Sequence, residues 1–196
     1  LIAGWEAAAV QPMENVLIQG AGALGIYAAA LAKHYGCGKV IVSDVLDHRL
    51  QFVRAFGATD ILNTRDMPAA EIVTAVRKLT GGLGVDCVLE VAGSPDLIPL
   101  GLQALRIGGR LIEIGNSFPN ANFNYDACNL VWRRLTLTGV HNYDTRHLQM
   151  GIDFLAATND QFPFDQLVTH RFELRDINAA LNLAASGEAI RVAVLP

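Results

Sequence analysis

The segment Gly20-Ala21-Gly22-Ala23-Leu24-Gly25 constrains the fold of this chain more than any other feature of its sequence. It directly follows the apolar run 15–19, which has the length of a strand, and it directly opens a helical segment of small residues, 23–35. An acidic residue, Asp44, closes the next apolar run. A strand, a glycine-rich turn, a helix and a second strand that ends in an acidic residue predict a βαβ unit with an anion-binding turn.

Apolar runs and helical segments alternate along the rest of the chain in the same way. Continuous apolar runs are typical of parallel strands that are covered on both faces, so two triplets of strands predict a doubly wound sheet. The predicted strands are 15–19, 39–44, 60–63, 85–91, 110–114 and 135–139. The predicted helices are 1–10, 23–35, 47–56, 69–79, 95–105 and 147–157. The sequence therefore predicts an α/β fold, a doubly wound parallel six-stranded sheet of the Rossmann type.

The helix predicted at 95–105 carries its own start and stop signals. Ser94 is placed to cap its N-terminus, Pro95 fits the first helical position, and Gly108-Gly109 is expected to end it. Beyond residue 139 the rhythm of the chain changes. After the helix at 147–157 come a strand at 168–172, a helix at 176–185 and a strand at 189–195. We interpret this tail as an appended element.

Composition excludes several classes of protein. Hydrophobic residues make up 52% of the 196 residues and charged residues 17%, so the chain is not mainly disordered. No stretch of about 18 residues is free of charge and helix breakers, which argues against a membrane span. The net charge is −4 without a basic stripe, which argues against nucleic-acid binding. The three cysteines lie far apart without a C-x-x-C pair, so we expect no disulfide framework, no structural zinc site and a reducing, cytoplasmic location.

Each glycine of the opening segment has a physical role in binding a dinucleotide. Gly20 permits the tight turn, Gly22 lets a pyrophosphate approach the backbone, and Gly25 lets the helix pack closely on the strand. The free N–H groups around Ala23 and Leu24 would then meet the phosphates, aided by the helix dipole.

The acidic residue at the end of the second strand indicates which dinucleotide. Asp44 would accept hydrogen bonds from the adenosine ribose and repel a 2′-phosphate, which favours NAD over NADP. A different adenosine ligand, such as S-adenosylmethionine, and a glycine-rich turn that binds nothing are the alternatives. The loops 91–94, with Ala92, and 115–117, with Gly115, are expected to border the same crevice, because ligands bind outside the carboxyl ends of the strands.

The chain resembles the nucleotide-binding domain of the medium-chain dehydrogenase/reductase family, the zinc-type alcohol dehydrogenases. The resemblance is carried by VLIQGAGALGIYAAALAKHYGCGKVIVSDVLDHRLQFVRAFGATDILN, then by GVDCVLEVAGSP, LRIGGRLIEIG, LTLTGV and DINAALNLAASGEAIRVAVLP, in the family's order. It covers essentially the whole chain. The stretch GVHNYDTRHL…FLA…FPFDQLV is similar to members associated with phosphonate catabolism.

The resemblance implies a division of the protein into parts. Residues 1–139 would form the dinucleotide-binding Rossmann domain. Residues 140–196 would form a helix plus a C-terminal segment that packs on a catalytic domain, and that N-terminal catalytic domain would lie outside this chain. Without it, the tail is expected to expose apolar surface.

The resemblance also assigns cofactor-binding roles. Arg49 matches a basic residue that touches the adenosine ribose, and Arg191 matches one that reaches the pyrophosphate, for which a guanidinium is well suited. The backbone around Gly115 and Thr138 matches the part that holds the nicotinamide carboxamide. The expected cofactor-binding residues are Gly20, Gly22, Ala23, Leu24, Gly25, Asp44, Arg49, Ala92, Gly115, Thr138 and Arg191.

Zinc and catalysis are expected to depend on residues outside this chain, because the family binds its zinc in the N-terminal domain. None of the five histidines forms an i, i+4 pair with another type of metal ligand, and we interpret them as surface or structural residues. His141 alone keeps a candidate role, because it follows the strand nearest the nicotinamide. Asp86 and Glu90 share one strand face and form either an acid/base pair or two separate groups, Asp86 at the strand entrance and Glu90 near the cofactor edge.

The expected function is that of the NAD-binding domain of a zinc-type alcohol dehydrogenase-like oxidoreductase. It would position nicotinamide for hydride transfer with an alcohol or carbonyl substrate, and the isolated chain would bind NAD weakly without turnover. A zinc-free quinone or enoyl reductase of the same family and a non-catalytic NAD-sensing Rossmann module are the alternatives. Family members dimerise by joining sheet edges, so we expect a homodimer through the edge strand 135–139.

Overall fold

The computed structural model describes residues Leu1–Pro196, and its centre is one parallel sheet of six strands. The strands are β1 (Val16–Gln19), β2 (Val40–Asp44), β3 (Asp60–Asn63), β4 (Val85–Glu90), β5 (Leu105–Glu113) and β6 (Thr136–Gly139). Their order in the sheet is β3-β2-β1-β4-β5-β6, and every neighbouring pair is parallel. The order reverses between β1 and β4, which makes the carboxyl ends of these two strands the switch point where a doubly wound sheet binds its ligand. The predicted doubly wound Rossmann sheet is confirmed.

Helices cover both faces of this sheet. The helices of the chain are α1 (Ile2–Ala8), α2 (Ala23–His34), α3 (Asp47–Val53), α4 (Ala69–Leu79), α5 (Leu97–Ala104), α6 (Ala127–Arg133), α7 (Thr145–Thr158) and α8 (Ile177–Ser186), of which α8 packs on the tail strands. Short 3₁₀ turns lie at Arg54–Phe56, Phe164–Leu167 and Leu174–Asp176. None of the helices combines the length and the apolar character that a membrane crossing requires.

The two faces of the central strand pack into two different cores. Val16 and Ile18 of β1 belong to the larger cluster, which includes the buried residues of α2, while Leu17 belongs to a second cluster with Leu102 of α5 and Val76 of α4. Successive strand side chains point to opposite faces, so a strand with buried residues on both faces is apolar throughout. Burial of each such side chain stabilises the fold by about 1.5–3 kcal/mol.

The prediction for the helix after β4 is wrong in its boundaries. The α5 helix begins at Leu97, and the side chain of Ser94 does not cap it. Ser94 lies in the preceding turn, where its carbonyl oxygen accepts a 3.0 Å hydrogen bond from the N–H of Leu97. Gly108-Gly109 does not separate helix from strand either, because β5 already begins at Leu105 and includes both glycines. The register between β4 and β5 shifts near Val85, which accommodates this irregular start. The short helix α6 was not predicted.

The tail forms its own small sheet. Strands β7 (Val168–Glu173) and β8 (Arg191–Leu195) pair in parallel and are connected through α8, without joining the main sheet. Leu174, Leu181 and Leu195 are about half exposed or more. The tail strands are thus separate from the main sheet, and the tail exposes apolar side chains.

Candidate functional site

The turn between β1 and α2 requires glycine at two positions. Gly20 has a φ of +107°, and a Cβ atom there would lie 3.0 Å from the backbone of Ala92. A Cβ atom on Gly25 would lie 1.8 Å from the carbonyl oxygen of Gly20, which is far inside van der Waals contact. The first glycine therefore allows the turn, and the last allows α2 to start against the end of β1.

The middle glycine borders open space instead. A Cβ atom on Gly22 would meet only the Nη1 atom of Arg49, at 3.9 Å. No side chain caps the N-terminus of α2, so the N–H groups of Ala23 and Leu24 lack both an intrahelical partner and a cap. An uncapped helix start beside an open glycine fits the phosphates of a dinucleotide.

Asp44 joins the end of β2 to this turn. Its Oδ2 atom accepts a 2.7 Å hydrogen bond from the N–H of Ala21, and its Oδ1 atom accepts one of 2.9 Å from the N–H of Leu46. Each carboxylate oxygen can accept a second hydrogen bond, and Asp44 is only half-buried. The carboxylate is thus held at the edge of the crevice with acceptor capacity left for hydroxyl groups.

Arg49 links the same region to the tail. The side chain lies on α3, and its Nε and Nη2 atoms donate hydrogen bonds of 3.1 Å each to the carbonyl oxygens of Gly187 and Ala189. Arg191 follows two residues later as the first residue of β8, with an exposed side chain. The segment that leads to Arg191 is therefore tied to α3, next to Gly22. Sequence reasoning missed this link, since no local pattern reports a contact between residues 138 positions apart.

Beyond the switch point, the loops after β4 and β5 touch each other. A Cβ atom on Gly115 would lie 2.4 Å from the backbone nitrogen of Gly93 and 2.5 Å from the Oε2 atom of Glu90. Ala92 is exposed at the tip of the first loop. Thr138 is half-buried on β6 opposite Ile112, one residue before that strand ends. The two loops thus form one continuous wall at the carboxyl edge of the sheet.

A carboxyl pair supports this wall. Glu90 and Glu113 are register partners at the last positions of β4 and β5, and the side-chain amide of Asn116 donates a hydrogen bond to each of them. The Oε1 atom of Glu90 accepts from the N–H groups of Ala92 and Gly93 at 3.0 and 2.9 Å. Burial, and then repulsion from Glu113, raises the pKa of Glu90 to about 7. Sequence reasoning placed Glu90 near the cofactor edge but did not find its partner, because Glu113 lies on another strand.

The structure separates Asp86 from this pair. Asp86 lies near the other end of β4, where it accepts a 2.7 Å hydrogen bond from the N–H of Asn15 and forms an ion pair with Arg106. Asp86 thus lies at the strand entrance and Glu90 at the carboxyl end of β4, as expected, and an acid/base pair of the two is excluded.

The histidines do not come together in one site. His147 is buried, where its Nδ1 atom accepts from the N–H of Asp144 at 3.0 Å and its Nε2 atom lies 3.0 Å from Glu6. His141 is exposed, two residues after β6 ends. No three His, Cys, Asp or Glu side chains of the chain come together in a way that could hold a metal ion.

The comparison with known families decides what kind of domain this is. The sequence profile of the family described as zinc-binding dehydrogenase matches residues 23–157. This chain belongs to the zinc-binding dehydrogenase family. The match includes the start of α2, Asp44 and all strands from β2 to β6.

Relatives of this chain include a dehydrogenase and a reductase. It is 31% identical over 179 residues to an L-threonine 3-dehydrogenase of Paraburkholderia phymatum, which covers 91% of this chain and 50% of that protein. It is 31% identical over 182 residues to a D-xylulose reductase of Scheffersomyces stipitis, which covers 89% of this chain and 48% of that protein. The crystal structure of an alcohol dehydrogenase from Thermotoga maritima superimposes with a TM-score of 0.91 at 29% identity, covering all of this chain and 53% of that one. The chain thus spans about half the length of the relatives it matches.

Proposed function

We propose that this chain is the cofactor-binding part of an NAD-dependent dehydrogenase that acts on an alcohol or carbonyl substrate. The observation that carries the proposal is the uncapped start of α2 beside Gly22, where a Cβ atom would meet nothing but the end of Arg49. The relatives support the reaction class, since an L-threonine 3-dehydrogenase, a D-xylulose reductase and an alcohol dehydrogenase are among them. In this proposal residues 1–139 form the dinucleotide-binding domain, and residues 140–196 contribute to the side that faces a catalytic domain.

Each part of the site then has a role toward the cofactor. The N–H groups around Ala23 and Leu24 bind the pyrophosphate, and Arg191 approaches it from the tail. Asp44 accepts hydrogen bonds from the adenosine ribose and disfavours a 2′-phosphate, so NAD is bound in preference to NADP. Arg49 would lie beside both the adenosine ribose and the pyrophosphate.

The nicotinamide end is assigned to the wall formed by the loops after β4 and β5. The backbone around Gly115 and Thr138 would hold the carboxamide, and the exposed Ala92 leaves room for a flat ring. NAD bound there supplies a hydride acceptor, and the protein's part is to position its ring against the substrate. Zinc would be held by residues outside this chain, so we expect no turnover by this chain alone.

The partner of this chain is proposed to be a second copy. Strand β6 is the edge of the sheet, and Val131 and Trp132, near the end of the preceding helix α6, are 74% and 77% exposed. Unpaired backbone groups on an edge strand and apolar side chains beside it favour a two-fold contact between identical edges. Three free cysteines fit a reducing compartment, and we propose a cytoplasmic location.

Titration of the chain with NADH, NADPH and S-adenosylmethionine, followed by NMR of the backbone amides, tests the proposed function. We expect NADH to bind more tightly than NADPH and to shift the amides of Gly22, Ala23 and Leu24. Preferential binding of S-adenosylmethionine, or no binding of any of the three ligands, would contradict the proposal.

A further inference from the structure

The row of residues at the carboxyl edge of the sheet contains two acids side by side. Gln19, Glu90 and Glu113 occupy neighbouring register positions on β1, β4 and β5, so their side chains point to the same face. Glu90 is fully buried, and one oxygen of Glu113, Oε2, is buried without a hydrogen-bond partner. Two adjacent carboxyl groups in such a place cannot both be ionised at low cost.

The neutral groups around the pair supply one hydrogen-bond donor too few for the carboxyl oxygens of Glu90 and Glu113. The Nδ2 group of Asn116 donates to Oε2 of Glu90 at 3.3 Å and to Oε1 of Glu113 at 3.0 Å, and the backbone N–H of Asn116 donates to Glu113 at 2.8 Å. An ionised carboxylate only accepts, so two carboxylates that face each other leave acceptor against acceptor. One proton on the pair turns this repulsion into a hydrogen bond.

No positive charge compensates the pair. Helix α5, which packs on this face, carries no titratable side chain between Leu97 and Ala104. From β1, Gln19 contributes a neutral amide that donates to the carbonyl oxygen of Leu97 at 2.9 Å. Arg133 at the end of α6 donates to the carbonyl oxygens of Leu102 and Leu105 near the opposite end of α5. The remaining acid near this helix, Asp96, is exposed at its start. A shared proton, and not a neighbouring cation, therefore reduces the negative charge of the pair, in agreement with the raised pKa of Glu90.

The same carboxyl groups hold the two loops of the wall. Glu90 binds the N–H groups of Ala92 and Gly93, and Glu113 binds the N–H of Asn116. Gly115, in the loop after β5, packs closely on the loop after β4. A larger residue there would clash with both Gly93 and Glu90. A change in the separation of the two carboxyl groups must move one loop relative to the other.

We propose that Glu90 and Glu113 share one proton and act as positioning residues, which hold the loops 91–94 and 114–117 together and thereby set the affinity for the nicotinamide end of the cofactor. This inference rests on the proposed function, since it takes these loops as the nicotinamide wall. Loss of the shared proton makes both groups anionic, and their repulsion opens the wall. Cofactor affinity then falls as pH rises, although neither glutamate touches the cofactor.

The variant Glu113→Gln tests the pair, because an amide nitrogen supplies permanently the donor that the shared proton supplies in the native chain. The dissociation constant of NADH is measured from pH 6 to pH 8.5 for the native chain, for E113Q and for E71Q, a matched change of an exposed glutamate on α4. We expect the native chain and E71Q to weaken by about fivefold or more across this range, a coupling of ordinary size for linked sites. The variant E113Q should match the native affinity at pH 6 and change by less than about twofold.

The possible outcomes separate the inference from the proposed function. If the native chain binds NADH and E113Q weakens with pH in parallel with it, the pair has no positioning role and the inference is wrong while the function stands. If the native affinity does not depend on pH, the inference is equally wrong. If the native chain binds no NADH at pH 6, the proposed function and the inference both fail. Should E113Q not fold, Asn116→Ala, which removes the bridging donor, should weaken NADH at pH 6 by several-fold, and native affinity in N116A would contradict the inference.

Discussion

The guanidinium group of Arg49 donates a 3.1 Å hydrogen bond to the carbonyl oxygen of Gly187, and this contact joins α3 to the tail. A second hydrogen bond of the same length reaches the carbonyl oxygen of Ala189, so two nitrogens of the guanidinium group bind two carbonyl oxygens of one loop. The loop leads directly into β8 and Arg191. Arg49, which we propose to contact the ribose, therefore also holds the loop that leads to Arg191, which we propose to contact the pyrophosphate.

Replacement of Arg49 by alanine should release the loop and weaken the cofactor together. We expect amide exchange at residues 187–191 to become faster and NADH affinity to fall about tenfold, since hydrogen bonds from a charged donor contribute about 1.5–3 kcal/mol. Exchange mass spectrometry and NADH titration measure the two effects. Arg54→Ala, an exposed arginine in the 3₁₀ turn after α3, is the control that should change neither. Unchanged exchange at 187–191 in R49A would show that the loop does not depend on this residue.

Two glycine substitutions in one turn should have opposite effects. Gly25→Ala places a methyl group 1.8 Å from the carbonyl oxygen of Gly20, so it should lower the free energy of unfolding by about 2–3 kcal/mol or more. Gly22→Ala meets no neighbour closer than 3.9 Å, so it should leave the melting temperature nearly unchanged while it blocks the approach of a pyrophosphate. Thermal unfolding and NADH titration of both variants distinguish these roles. Native NADH affinity in G22A would exclude this turn as the phosphate site.

Asp44 should decide between the two dinucleotides. Asp44→Asn removes the negative charge, so we expect the ratio of NADPH to NADH affinity to rise about tenfold or more. The hydrogen bonds from Ala21 and Leu46 also lose their charged acceptor, and the melting temperature should fall by a few degrees. Asp66→Asn, an exposed change between β3 and α4, should alter neither quantity. An unchanged preference in D44N would assign the discrimination to another residue.

The stability of the apoprotein should depend on the carboxyl pair. Folding raises the pKa of Glu90 from its ordinary value of 4.5 to about 7, so the folded state holds the proton more tightly than the unfolded state. The corresponding stabilisation is fully present below about pH 4.5 and is lost as pH rises to about 7 and above. Melting temperatures between pH 5 and pH 8 should fall for the native chain and fall less for E113Q. A steeper decline in E113Q than in the native chain would contradict a shared proton.

The exposed residues before β6 should control self-association. Trp132→Glu places a charge beside the sheet edge, and we expect it to convert a homodimer into a monomer in light-scattering measurements at high concentration. Leu83→Glu changes a residue that is 74% exposed in the turn before β4 and should leave the dimer intact. A native chain that stays monomeric at all concentrations would rule out the proposed contact.

Several elements were predictable because their signals are local. The apolar run 16–19, the glycines at 20, 22 and 25 and the small residues of α2 follow one another directly, so each confirms the interpretation of the next. The start of α5 was not predictable in this way. Ser94 and Pro95 are good helix-start signals, but Glu90 binds the N–H groups of the preceding loop and the helix begins only at Leu97. A hydrogen bond from the backbone to a side chain only three residues away outweighed the helix-start preference there.

The sequence by itself determined the doubly wound sheet, the glycine-rich turn after β1 and the position of Asp44 at the end of β2, because strand and helix periodicity and glycine spacing depend on neighbours along the chain. Only the tertiary structure decided which distant side chains meet at the carboxyl edge. Glu90 lies next to Glu113 because β4 pairs with β5, and Arg49 contacts Gly187 because the tail returns to α3. Such contacts depend on how the strands are ordered and where the loops return, and no pattern of adjacent residues records either.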